Sequence, residues 1–107
     1  MNIKISKKSD FVVISPKGKI DAVSYTDLQQ KMEEIINQGN NNLLLNLSEV
    51  DYISSAGLRA ILTIAKKLYG NGSFAIISPK PSVLNILKIV GLVNIINIYD
   101  SFEKVKK

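Results

Sequence analysis

The chain has 107 residues, room for one modest hydrophobic core but not two. Its 46% apolar and 21% charged residues are ordinary globular values, and 14 Lys and Arg against 9 Asp and Glu leave a formal net charge of +5. Having neither Cys nor His, it has no disulfide framework, thiol nucleophile or thiolate metal site, and it lacks the commonest general base. The N-terminal Met-Asn-Ile-Lys-Ile-Ser-Lys-Lys alternates apolar and polar residues and has no continuous apolar segment of a secretory signal. No later run approaches the length of a bilayer span, so a soluble cytoplasmic protein is expected. The Lys pairs at Lys7-Lys8, Lys66-Lys67 and Lys106-Lys107 are scattered and read as solvated faces. One Arg and no Trp are thin provision for reading or stacking on bases, so no direct nucleic-acid partner is expected.

Ile3 and Ile5 alternate with Asn2, Lys4 and Ser6, and Lys7-Lys8-Ser9-Asp10 supplies a polar turn before Phe11-Val-Val-Ile14. This pattern predicts two strands joined in a hairpin. Pro16 and Gly18 predict a strand edge or irregularity, and Asp21 is placed to cap the helix that follows. From Ser24 onward, Tyr25, Leu28, Met32, Ile35 and Ile36 form one helical stripe that ends at Gly39. Leu43 to Leu47 is short and wholly apolar apart from Asn46, which predicts a buried parallel strand.

Glu49 to Leu62 then passes from an extended loop into an amphipathic helix across Ser54-Ser-Ala-Gly57. The first N–H groups of a helix have no intrahelical partner and carry partial positive charge. Ser54 or Ser55 can therefore cap this helix, and a phosphate added there would be stabilised. Gly57 costs about 1 kcal/mol against Ala in a helix, so its missing side chain predicts close approach by something, either a partner surface or the chain itself. Leu58, Ile61, Leu62, Ala65, Leu68 and Tyr69 continue the stripe as far as Gly70-Asn-Gly72. Phe74 to Ile77 predicts another buried strand, Ser82 to Val90 a short helix capped by Ser82, Ile95 to Tyr99 a last strand, and Ser101 the start of a terminal helix.

The order ββαβαβαβα implies an α/β fold in which a mixed, mostly parallel sheet is covered by helices over residues 1–107. Asp51 and Glu49 flank the serines, yet no second catalytic group accompanies them. Lys17-Gly-Lys19 lacks the spacing of a phosphate-binding loop, and no dinucleotide or EF-hand pattern occurs. No catalytic residue, metal or cofactor is expected.

The segment Asn46-Leu-Ser-Glu-Val-Asp-Tyr-Ile-Ser-Ser-Ala-Gly-Leu-Arg59 resembles the signature of the STAS domain family, in particular the small stand-alone anti-sigma factor antagonists of bacteria. Gly18-Lys-Ile-Asp21, Ile77-Ser-Pro79, Leu87-Lys-Ile-Val-Gly-Leu92 and Ile95-Ile-Asn-Ile-Tyr-Asp100 extend the resemblance in order along nearly the whole chain. It implies a binding module rather than an enzyme. Its unphosphorylated form would bind an anti-sigma factor that is also a serine kinase, free the sigma factor, be switched off by phosphorylation and be reset by a serine phosphatase. The family's acceptor maps onto Ser55, with Ser54 the lesser candidate. Ser54 stands where the family usually has Asp, and Ala56 where it has a second hydroxyl. Asp21, Ser54, Ser55, Gly57, Leu58 and Leu62 are the expected partner-binding residues, although Leu58 can equally belong to the core. The alternative is an unphosphorylated scaffolding domain of a larger regulatory complex, with both serines only capping.

Overall fold

The computed structural model describes residues 1–105; the Lys106-Lys107 pair lies outside the described residues. Strands β1 (Asn2–Lys8) and β2 (Phe11–Ile20) form the expected antiparallel hairpin. Lys8 faces Phe11 across a tight turn in which Ser9 takes a left-handed conformation. Helix α1 (Tyr25–Asn37) and strand β3 (Asn42–Asn46) follow, then β4 (Val50–Ile53) and α2 (Ser55–Leu68), β5 (Ser73–Ile77) and α3 (Pro81–Ile89), and finally β6 (Asn97–Tyr99). The sheet runs β1-β2-β3-β5-β6, with every neighbour after the hairpin parallel.

β2 has two partners in succession. Val12 to Ile14 pair with Leu43 to Leu45 of β3, whereas Gly18 to Ile20 pair with β4. Between them Ser15, Pro16 and Lys17 face β1 alone, so the N–H that proline lacks removes no bond on the parallel side. The predicted irregularity is present: Gly18 has φ +101°, and the register shifts between Gly18 and Lys19, where one step along β2 spans two along β4 and leaves Asp51 without a partner in β2.

The residues of β4 read in sequence as loop. Val50 and Ile53 are buried while Asp51 and Tyr52 between them are exposed, a pattern without the period-two alternation by which strands are recognised. Two helix starts and one helix end also differ from expectation. Lys80, not Ser82, occupies the cap position of α3, because Pro81 fills the first helical position, where its missing N–H is no loss. Asp21 is not the N-cap of α1, which is Ser24. Tyr69 leaves the stripe of α2: the helix ends at Leu68 and the Tyr69 side chain is 88% exposed. The expected terminal helix is a single 3-10 turn at Phe102–Lys104, and another, Leu92–Asn94, precedes β6.

All three helices bury their stripes on one face of the sheet. Leu28, Met32, Ile61, Ile64, Val83 and Leu87 join Val12, Ile14, Leu43, Leu45 and Ile76 in one core. The opposite face, with Phe11, Val13, Leu44, Ala75 and Ile77, is closed by Tyr99, Phe102 and Val105 from the C-terminal segment, so helices cover one side only. Phe102 meets Phe11 edge-on at 6.4 Å between ring centroids, and the Lys8 ammonium stands 4.3 Å above its ring. Phe102→Ala is expected to cost about 2 kcal/mol, read as a lower midpoint in urea unfolding, because it removes the ring packed on Phe11 and leaves Tyr99 and Val105 to cover that sheet face.

Candidate functional site

The corner at Ser54 is built by backbone hydrogen bonds before any side chain takes part. Gly18 N–H donates to the Glu49 carbonyl at 2.9 Å and Ser54 N–H to the Ile20 carbonyl at 2.8 Å, so the end of β2 holds both ends of β4. Ser54 is extended (φ −88°, ψ 172°), and its hydroxyl oxygen accepts the Gly57 N–H at 3.2 Å, which makes it the N-cap of α2.

Ser55 is the first helical residue and is exposed; among the described residues nothing hydrogen-bonds its hydroxyl. The two serines are thus separated by role, one occupied and one free. Asp is also a preferred N-cap, so Ser54 serves the helix as would the Asp that the resemblance leads one to expect there. Ser54→Ala is expected to lose about 1 kcal/mol of stability and Ser55→Ala less than about 0.5 kcal/mol, measured by urea unfolding of the two variants side by side.

Gly57 is buried, and the close approach it predicted comes from the chain itself. A Cβ there would lie 2.7 Å from Ile20 Cγ2 and 2.9 Å from Ile53 Cγ1. It supports the surface from behind rather than lining it. Leu58 and Leu62 do both duties, packing partly on the main core and, with Ser55, Arg59, Val90 and Leu92, lining an open groove beside the helix start. Val90 is 51% exposed, and Ile89, Val93 and Ile95 around it are exposed as well. Arg59, Val90 and Leu92 were not singled out from sequence, because the turn that brings the end of α3 against α2 has no local signature. The spacing of Arg59 one helical turn after Ser55 was the available clue.

Asp21 follows Ile20, whose carbonyl receives the Ser54 N–H, so the structure brings it to the same end of the sheet. Its carboxylate accepts the Ser24 and Val23 N–H groups at 2.9 and 3.0 Å, and its carbonyl accepts the Tyr25 N–H at 3.0 Å. Those two amide donors, Ser24 first, hold the carboxyl below its ordinary value of 3.8. Asp51, which flanks the serines in the sequence, is ion-paired with Lys80 at the start of α3 and is lowered chiefly by that hydrogen bond. Both groups favour folding when ionised. Their contribution is full above 3.8 and is lost as pH falls through the lowered values. Unfolding midpoints should therefore drop on acidification below about pH 4, and less steeply in Asp21→Asn, as an acid titration followed by circular dichroism would show.

The fold and site define a small α/β module that presents a free hydroxyl on a fixed helix start beside an apolar groove, with no cluster of metal-ligating residues among those described. The family model described as STAS domain matches residues 2–105, and the chain belongs to that family. A relative from Thermotoga neapolitana, described as a "putative anti-sigma factor antagonist", is 34% identical over 98 residues, 89% of this chain and 86% of that protein. The crystal structure of a protein described in the same words from Thermotoga maritima superposes with a TM-score of 0.89 at 28% identity, covering 95% of this chain and 89% of that one. The fold is also that of the Bacillus cell fate determinant SpoIIAA in its phosphorylated form, with a TM-score of 0.73 at 19% identity over 96% of this chain and 95% of that one. No helix among the described residues is long and apolar enough to cross a membrane.

Proposed function

We propose that this chain is an anti-sigma factor antagonist whose unphosphorylated form binds an anti-sigma factor serine kinase and so releases a sigma factor in the cytoplasm. Phosphorylation of Ser55 ends the interaction, and a serine phosphatase restores it. The observation that carries this reading is the division of labour at the helix start, where Ser54 caps α2 and Ser55 offers an unbonded, exposed hydroxyl at the rim of an apolar groove. The descriptions of its Thermotoga relatives as anti-sigma factor antagonists support the antagonist part of this reading.

The physics of a switch follows from the position. A phosphoserine carries about −1.5 to −2 charge at pH 7, and at the first turn of a helix it is held by backbone N–H groups without distorting the fold. The same charge pressed into an interface with Leu58 and Leu62 must be desolvated without an apolar partner's help, at a cost of several kcal/mol. Ser54 stays covered by its capping role, and Asp21 shapes the neighbouring edge of the docking face.

Incubation with the cognate kinase and ATP should place one phosphate on the wild type and none on Ser55→Ala. Ser55→Asp should bind the partner at least ~100-fold more weakly than wild type by calorimetry. Phosphate retained on Ser55→Ala would exclude Ser55 as the acceptor. A wild-type chain that takes up no phosphate but stays in a large assembly would instead indicate the scaffolding role.

A further inference from the structure

We infer that the Arg59 guanidinium pairs with the phosphate of phosphorylated Ser55, an intramolecular ion pair along the α2 wall of the groove; this rests on the assignment of Ser55 as the acceptor. Arg59 is the only arginine in the chain and is exposed. Among the described residues it has no carboxylate partner; Lys8, Lys17, Lys31, Lys67, Lys80 and Lys104 each have one, while Lys4, Lys7, Lys19, Lys66 and Lys88 share its lack of an ion pair but do not line the groove. Side chains three and four positions away on a helix are neighbours, and for Arg59 these are Ser55, Ala56, Leu62 and Thr63, all uncharged. The first turn of α2 holds no acidic residue, and the groove residues facing Arg59 from beyond α3, Val90 and Leu92, are apolar. Of the two hydroxyls within reach on its own helix, that of Thr63 already donates to the Arg59 carbonyl at 2.9 Å, which leaves a phosphate on Ser55 as the anion this guanidinium is placed to meet.

The geometry suits the pair. An acid four residues before a base is the favourable order along a helix, and a guanidinium fork matches two phosphoryl oxygens. Ser55 and Arg59 already share the rim of one groove with Leu58 and Leu62. Phosphorylation then has two consequences at this face: it adds an anion, and it engages the cation that the unmodified protein leaves available to a partner. Arg59 acts as a positioning residue for the modified side chain, and unmodified Ser55 needs nothing from it.

The test uses full-length protein with phosphoserine installed at position 55 by codon expansion, so that no kinase is needed. Phosphorus NMR titration gives the second ionisation of the phosphate, ordinarily near pH 6. In the phosphorylated wild type this midpoint is expected about half a pH unit below that of phosphorylated Arg59→Gln, with Arg59→Lys between them. The backbone amides of the helix start are the same in all three proteins, so the difference isolates the side chain. The Arg59 Nε–H resonance of the wild type should also move on phosphorylation. Equal midpoints in wild type and Arg59→Gln, or an Arg59→Lys value equal to that of Arg59→Gln, would overturn the assignment. Failure of the switch itself would show as absence of phosphate after incubation with the kinase, and would leave this titration unaffected. Arg59 is exposed, so the variants should keep the wild-type circular dichroism spectrum, which checks that folding is not the variable.

Discussion

Gly57→Ala should destabilise the protein by about 2 kcal/mol, even though alanine is the better helix former by about 1 kcal/mol. The added Cβ would lie 2.7 Å from Ile20 Cγ2, 2.9 Å from Ile53 Cγ1 and 3.1 Å from the Ile20 carbonyl oxygen. Neither isoleucine can swing aside: Ile20 is fully buried, Ile53 is 3% exposed, and both are β-branched and stiff at χ1. Relief has to come from the backbone, by lifting α2 from the end of β2. That lengthens the bond from Ser54 N–H to the Ile20 carbonyl and shifts the helix start that carries Ser55. The variant should therefore show a lower urea midpoint together with weaker partner binding. A midpoint at or above that of the wild type would mean that helix propensity outweighs the contact.

Gly72→Ala should be costlier still, about 3 kcal/mol, although Gly72 lies in an exposed turn far from the site. Its Cβ would be 2.1 Å from the Asn41 carbonyl oxygen and 2.5 Å from Asn41 Cβ. The obstacle is main chain, and that same carbonyl accepts the Ser73 N–H at 2.8 Å where β5 begins to pair with β3. Moving it disturbs the register of two central strands. Gly70 provides the comparison, since a Cβ there meets nothing within 4 Å and only its φ of +78° disfavours alanine. Thermal melts of Gly70→Ala and Gly72→Ala should rank the second well below the first, and the reverse order would contradict the close approach.

These two glycines illustrate what the sequence could and could not convey. Gly57 stood out because a glycine in an amphipathic first turn lacks a local reason, but only the packing of α2 on β2 shows that Ile20 and Ile53 supply it. Gly72 read as a helix terminator and gave no hint of its contact with Asn41, some thirty positions away. Elements with strong periodicity were legible: the stripes of α1 and α2 and the apolar runs of β3 and β5 appear within a residue or two of expectation. β4 was not, because its four residues, three of which pair with the far end of β2, carry no alternation of their own. At the site, the serine pair was visible in the sequence, and the resemblance pointed to Ser55 as acceptor, but which of the two caps the helix was not. Both residues are good caps locally, and the bond from Gly57 N–H to Ser54 identifies the cap. The groove partners Val90 and Leu92 required the tertiary fold.

The way β2 grips the start of α2 has a consequence for how an enzyme would find Ser55. Many protein kinases read an extended peptide drawn into a cleft, whereas here the hydroxyl sits on a helix whose N-cap, Ser54, is bonded through its N–H to the end of β2. The object such an enzyme would recognise is a shape assembled from segments far apart in sequence. A synthetic peptide of residues 49–62, too short to hold a helix in water, should be phosphorylated at least about tenfold less efficiently than the intact chain. Modification would then double as a check on quality, since an unfolded or misassembled copy would not be marked.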